Sequence, residues 1–185
     1  MTDPIIGFRC WHVSLVKPVL RSVAMTYDWP QDDHLEAICM SYTGAWYGVP
    51  PPKEHHGAPK EECRCGFYAR TKVKDLMEEY PYYPLHGYYR GKGMDGFLVM
   101  GAILMWGDVF RGAKVIRAQN VRILCLTDLP DPWYTKLGPH DPSRVSDDER
   151  HAREVSLDLV CQRYGVPMVP YESVEMYAGE FGELT

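Results

Sequence analysis

Apolar and β-branched residues crowd positions 5–13, where Phe8, Cys10 and His12 alternate with Arg9 and Trp11. A period of two places alternate side chains on opposite faces, so this segment is predicted to be a strand. Pro18 interrupts the pattern, and residues 19–25 are predicted to form a second strand at an edge. The run from Asp28 to Asp33 carries turn chemistry, and residues 36–42 are predicted to form a short third strand. Residues 66–69 are strand-like and lead into a helix over 71–80, where Val73, Leu76, Met77 and Tyr80 recur at i, i+3, i+4 and i+7. Pro81 ends that helix. Residues 97–110 and 114–126 read as two long strands joined by a tight turn at Arg111, Gly112 and Ala113, and Gly107 marks a bend or bulge in the first.

The C-terminal third has a different pattern. Ser146, Asp147, Asp148 and Glu149 form a capping box, with acidic residues at the positive end of a helix. Ala152, Val155, Leu159 and Val160 are its expected buried stripe, and Gly165 its C-terminal stop. The acidic segment 166–185 is expected to be only partly ordered. These elements predict an α+β fold, a strongly bent antiparallel sheet with the 71–80 helix packed on it. Residues 1–127 form the expected domain, 128–145 a proline-punctuated linker, and 146–185 a C-terminal helix and acidic tail. Residues 44–62 hold Pro50, Pro51, Pro52, two adjacent histidines and Gly57-Ala58-Pro59, which excludes helix and central strand. A long irregular loop inside a compact domain needs a function or a pin.

At 185 residues the chain can bury a core without disulfides. Its net charge of −5, from 20 basic and 25 acidic side chains, does not favour nucleic acid as a partner. No apolar run is long enough to cross a membrane. Residues 1–4 lack the features of a signal peptide, and six cysteines are too few for a disulfide scaffold. The expected setting is therefore the cytoplasm, with reduced thiols. Clustered cysteines there point to a metal or a reactive site.

Cys39, the pair His55 and His56, and Cys63-Arg64-Cys65 supply thiolates and imidazole, the ligands zinc prefers. Strand alternation would turn both thiols of the Cys-x-Cys pair to one face. Three sulfurs and one nitrogen complete a tetrahedron with no open position, which indicates a structural zinc. The competing readings are small buried thiols beside solvated histidines, and a redox pair. His34-Leu35-Glu36 matches half of a zinc deaminase pattern, but the proline and cysteine spacing of the other half is wrong. Residues 80–92 mix tyrosines with Arg90 and Lys92, as stacking platforms for single-stranded nucleic acid do and as protein-binding surfaces do more often. Cys10, His12, Cys125 and Cys161 sit in apolar contexts that suit a core. Phosphate loops, nucleophile elbows and dinucleotide fingerprints are absent.

Over residues 5–126 the chain resembles small uncharacterised actinobacterial and actinophage proteins. The resemblance rests on Phe8-Arg9-Cys10-Trp11-His12-Val13, Arg21-Ser22, Trp29-Pro30, Ala37-Ile38-Cys39, His56-Gly57-Ala58-Pro59, Cys63-Arg64-Cys65-Gly66-Phe67-Tyr68-Ala69, Met105-Trp106-Gly107-Asp108-Val109 and Arg117-Ala118. It implies His56 rather than His55 as the ligand, and a phage or actinobacterial setting. It implies no activity. Gly66-Phe67-Tyr68-Ala69 followed by a helix is also similar to a segment of ADP-ribosyltransferase-like folds. That similarity implies NAD contacts from Tyr68 and from Arg9 or His12. The family's late-strand glutamate is missing, with only Gln119 near its place. The expectation is a small non-enzymatic regulatory or host-interaction protein with a structural zinc and a protein partner. A nucleotide-handling enzyme is the alternative, and binding of single-stranded nucleic acid a third.

Overall fold

The alternation at residues 5–13 is realised as β1 (Ile5–Ser14), a ten-residue strand that sorts its side chains onto two buried faces. Ile6, Phe8 and Cys10 join one apolar cluster, and Ile5, Trp11 and Val13 join another. In the computed structural model, residues 3–14, 17–23, 28–32, 34–39, 56–79, 96–129 and 147–184 are described. The remaining strands are β2 (Leu20–Ser22), β3 (Leu35–Glu36), β4 (Phe67–Arg70), β5 (Gly96–Arg111) and β6 (Val115–Thr127). All pair antiparallel in one six-stranded sheet, and the fold is α+β.

The bend expected from the sequence goes as far as closure. β1 pairs β5, β5 pairs β6, β6 pairs β4, and β4 returns to β1 through Phe8 and Arg70. Side chains on the inner face must then share a small space, and two glycines provide it. A Cβ on Gly7 would stand 2.5 Å from that of Ala69, and one on Gly101 would meet the Cys125 carbonyl and lie 3.1 Å from Trp11. Gly107, at φ +84°, sits where the β5–β6 register shifts between Trp106 and Val109, the bulge its position predicted.

The helix α1 (Val73–Glu79) buries Val73, Leu76 and Met77 on the outer face beside Phe8 and Cys10. Its first amide is capped from far along the chain, by Glu175 Oε1 at 3.2 Å from Val73 N. Helix α2 (Asp147–Tyr164) ends as predicted at Gly165, at φ +63°. Val166 N donates to Cys161 O at 3.1 Å and Gly165 N to Gln162 O at 3.3 Å, the paired bonds of a Schellman stop.

Several expectations are corrected. The second and third strands are shorter than 19–25 and 36–42, and residues 24–27 and 40–42 lie outside the described residues. Val155 and Leu159 of α2 are exposed, and the buried face is Ser156, Leu157 and Val160, flanked by Cys161 and Tyr164. Trp29 is core rather than turn, 3% exposed and edge-on to Trp11 at 5.2 Å. Residues 166–184 also pack. Leu126 N donates to Pro167 O at 3.0 Å, Val169 N to Leu126 O at 2.8 Å, and Ile6 N to Glu183 O at 3.0 Å. A short helix α3 (Val174–Gly179) buries Val174 and Ala178 against the outer face. Ser146 and residues 130–145 of the expected linker lie outside the described residues.

Candidate metal centre

Three separate pieces of chain supply the site. β3 runs beside β6, and the pairing continues past its end, with Ala37 N donating to Gln119 O at 2.7 Å. This carries Cys39 to the start of β4. His56 enters from the irregular segment, and a turn closed by Cys63 N on Lys60 O at 3.1 Å presents Cys63 and Cys65. Gly66, at φ +108°, then swings the chain into β4, and a Cβ there would lie 2.8 Å from Pro59. Cys39, Ala58 and Cys65 are buried together, with Ala37 and Cys63 packed against them.

The geometry is that of a coordination sphere. Cys39 Sγ lies 3.4 Å from His56 Nε2 and 3.6 Å from Cys63 Sγ. The ligand atoms of Cys39, His56, Cys63 and Cys65 all fall within 4.8 Å of one another. Tetrahedral bonds of the usual lengths to sulfur and nitrogen put neighbouring ligand atoms about 3.5–3.8 Å apart. His56 Nδ1 is 2.7 Å from Gly57 O. A carbonyl only accepts, so Nδ1 carries the proton and Nε2 keeps its lone pair for the centre. Cys39, His56, Cys63 and Cys65 are positioned to bind a metal ion. His55, the other histidine of the pair, lies outside the described residues.

The electrostatics show why a cation belongs there. Burial, a hydrogen bond that the protonated Cys65 thiol donates to Cys63, and the neighbouring sulfurs of Cys63 and Cys39 push the Cys65 thiol up to about 11, and the Lys60 backbone amide acts the other way. Thiolates crowded this closely repel one another, and a divalent ion at their centre turns that repulsion into attraction. The other cysteines are unlike this group. Burial pushes Cys10 and Cys125 up, and Cys161 up to about 11, all in apolar surroundings.

The residues considered for nucleotide chemistry are not gathered around one cleft. Arg9 and His12 leave β1 on opposite faces. The Arg9 guanidinium lies 5.0 Å from the Trp29 ring centroid and donates to Tyr68 O at 2.6 Å and Ser22 Oγ at 3.1 Å. His12 is 4% exposed, and burial with the nearby Arg21 charge pulls it down to about 4. Tyr68 turns its hydroxyl to Arg64 O at 2.8 Å. Gln119 is held between Glu36 and the Asp108 amide. His34 packs on Trp106, and neither it nor Glu36 joins the metal-ligating group. The tyrosine-rich residues 80–92 lie outside the described residues.

The sequence reading named Arg117 of β6 only within the resemblance and gave it no role at the site, where it donates to the Cys63 and Cys65 carbonyls. Only its place opposite Tyr68, two residues beyond Gly66, would have signalled this, and that pairing is invisible before the register is known.

No family profile, curated protein or solved structure matches the chain. Among the described residues, no helix is long and apolar enough to cross a membrane.

Proposed function

We propose that the protein is a small non-enzymatic binding module whose Cys39, His56, Cys63 and Cys65 hold a structural zinc. The observation that carries this reading is the four-ligand group itself, three sulfurs and one nitrogen within 4.8 Å of one another, with Cys39 at near-tetrahedral distances from His56 and Cys63. Soft thiolates with one imidazole select zinc among the common divalent ions. A catalytic zinc keeps one position for water, whereas four protein ligands leave none. The ion would tie the end of β3, the residue-56 segment and the entry to β4 into one rigid surface. Ile38, 70% exposed and next to Cys39 in the chain, and Tyr68, 38% exposed and three residues after Cys65, then offer apolar contacts to a protein partner. All six cysteines are free, which suits a reducing cytoplasm. The resemblance over residues 5–126 extends the reading to a phage-encoded protein acting on a host component.

Cobalt substitution tests the closed site. The cobalt form should show the intense ligand-field bands of tetrahedral thiolate coordination, unchanged by excess azide. Bands that shift on adding azide would reveal an exchangeable position and favour a catalytic centre.

A further inference from the structure

Arg117 lies beneath the metal loop and gathers its carbonyls. Its Nη1 donates to Lys60 O at 3.3 Å, to Cys63 O, and to Cys65 O at 3.4 Å, and Nη2 reaches Glu61 O at 3.5 Å. The guanidinium is set between two rings, 5.1 Å from the Phe110 centroid and 5.9 Å from that of Tyr68. Tyr68, directly opposite Arg117 in the β4–β6 ladder, takes the Arg64 carbonyl with its hydroxyl. One cation and one phenol on adjoining strands thus hold five carbonyls between positions 60 and 65.

This arrangement has a consequence for the sulfurs. A peptide whose carbonyl is turned toward Arg117 turns its amide, which belongs to the next residue, the opposite way, so the Glu61, Glu62, Arg64 and Gly66 amides point away from the guanidinium. Amides directed at thiolates stabilise their negative charge. Three thiolates, a neutral imidazole and a divalent ion carry one net negative charge, which the guanidinium offsets from behind the loop. Lysine would supply the charge but neither the fork that spans several carbonyls nor the plane that stacks between rings.

We propose that Arg117 is a positioning residue of the metal centre, setting how tightly the ion is held by fixing the 60–65 carbonyls on β6. The inference rests on the metal-binding reading above. Its test is zinc affinity, measured by competition with a chromophoric chelator, for the wild type, Arg117→Gln and Arg117→Lys. The thermal midpoint of each is measured with metal and with excess EDTA.

Loss of an outer hydrogen-bonding partner of a metal ligand weakens binding about 10–100-fold. Both variants should show a loss in that range, Arg117→Lys the smaller one, while their cobalt spectra keep the tetrahedral bands. Their thermal deficit should be larger with metal than without. Arg111→Gln, which removes only a surface pair with Glu183, should leave affinity unchanged. Variants that match wild-type affinity, or lose equal stability in the two states, would show that Arg117 merely supports the sheet. A wild-type chain that takes up no metal would overturn the centre itself.

Discussion

Cys39 and Cys63 are 24 positions apart, yet their sulfurs stand 3.6 Å from each other. Nothing local brings them together. Cys39 is delivered by the β3–β6 pairing and Cys63 by the turn that leads into β4, so both strands must be paired on β6 before the site is complete. Metal binding should therefore report on the folded state.

Removing the ion should cost stability without dissolving the sheet, since both apolar clusters are independent of the centre. A ligand at a thousandfold excess over its Kd stabilises by about 4 kcal/mol. Denaturant titrations with zinc and with EDTA should differ by that order, and Cys39→Ser should abolish the difference. A difference that survives in Cys39→Ser would place the metal elsewhere.

Closure of the ring should be sensitive to the inner glycines. Gly101→Ala puts a methyl against the Cys125 carbonyl and the Trp11 ring, and Gly7→Ala presses on Ala69 and Met105. Overpacking of this kind costs about 1–3 kcal/mol. Urea midpoints should fall accordingly, Gly101→Ala more steeply because its obstacle is backbone.

His12 should make the protein acid-sensitive. Burial lowers its pKa from 6.5 to about 4, so between those values the unfolded chain binds a proton that the folded chain does not. Stability from this group is complete above about pH 6.5 and falls as pH drops toward 4, by an amount on the order of 2–3 kcal/mol. In EDTA, which excludes proton competition at the metal ligands, His12→Leu should flatten the stability–pH slope across that window. An unchanged slope would assign the acid sensitivity to other groups.

The face of α2 can be checked by two leucines. Leu157→Ala empties a position 6% exposed and should cost about 2–4 kcal/mol, whereas Leu159→Ala, at 45% exposed, should cost less than about 1. Equal costs would contradict the observed face.

That helix also shows where the sequence misleads. Ranking by hydropathy selects Val155 and Leu159, but the packed side uses residues with polar ends. The Arg153 guanidinium lies 5.1 Å from the Phe97 ring centroid, and the half-buried Tyr164 packs against the apolar cluster while its hydroxyl donates to Trp29 O at 2.7 Å. The same blindness hid Trp29 among aspartates and prolines, and Val169, Val174 and Ala178 in an acidic tail. The strands were easier to read, because alternation along β1 and the long apolar runs of β5 and β6 follow directly from two-sided burial. The three cysteine ligands were legible from residue type, whereas the choice of His56 over His55 came only from the resemblance. The partners that shape the loop, Arg117 above all, depend on strand register, which no local pattern encodes.

The zinc reading is decided most directly by metal content, measured by mass spectrometry on the untagged chain beside the Cys63→Ser, Cys65→Ser double variant. About one zinc per wild-type chain is expected, lost from the variant together with thermal stability. A wild-type chain free of metal, with a variant equally stable, would remove the structural zinc and leave Cys63 and Cys65 as candidates for redox or nucleophilic chemistry.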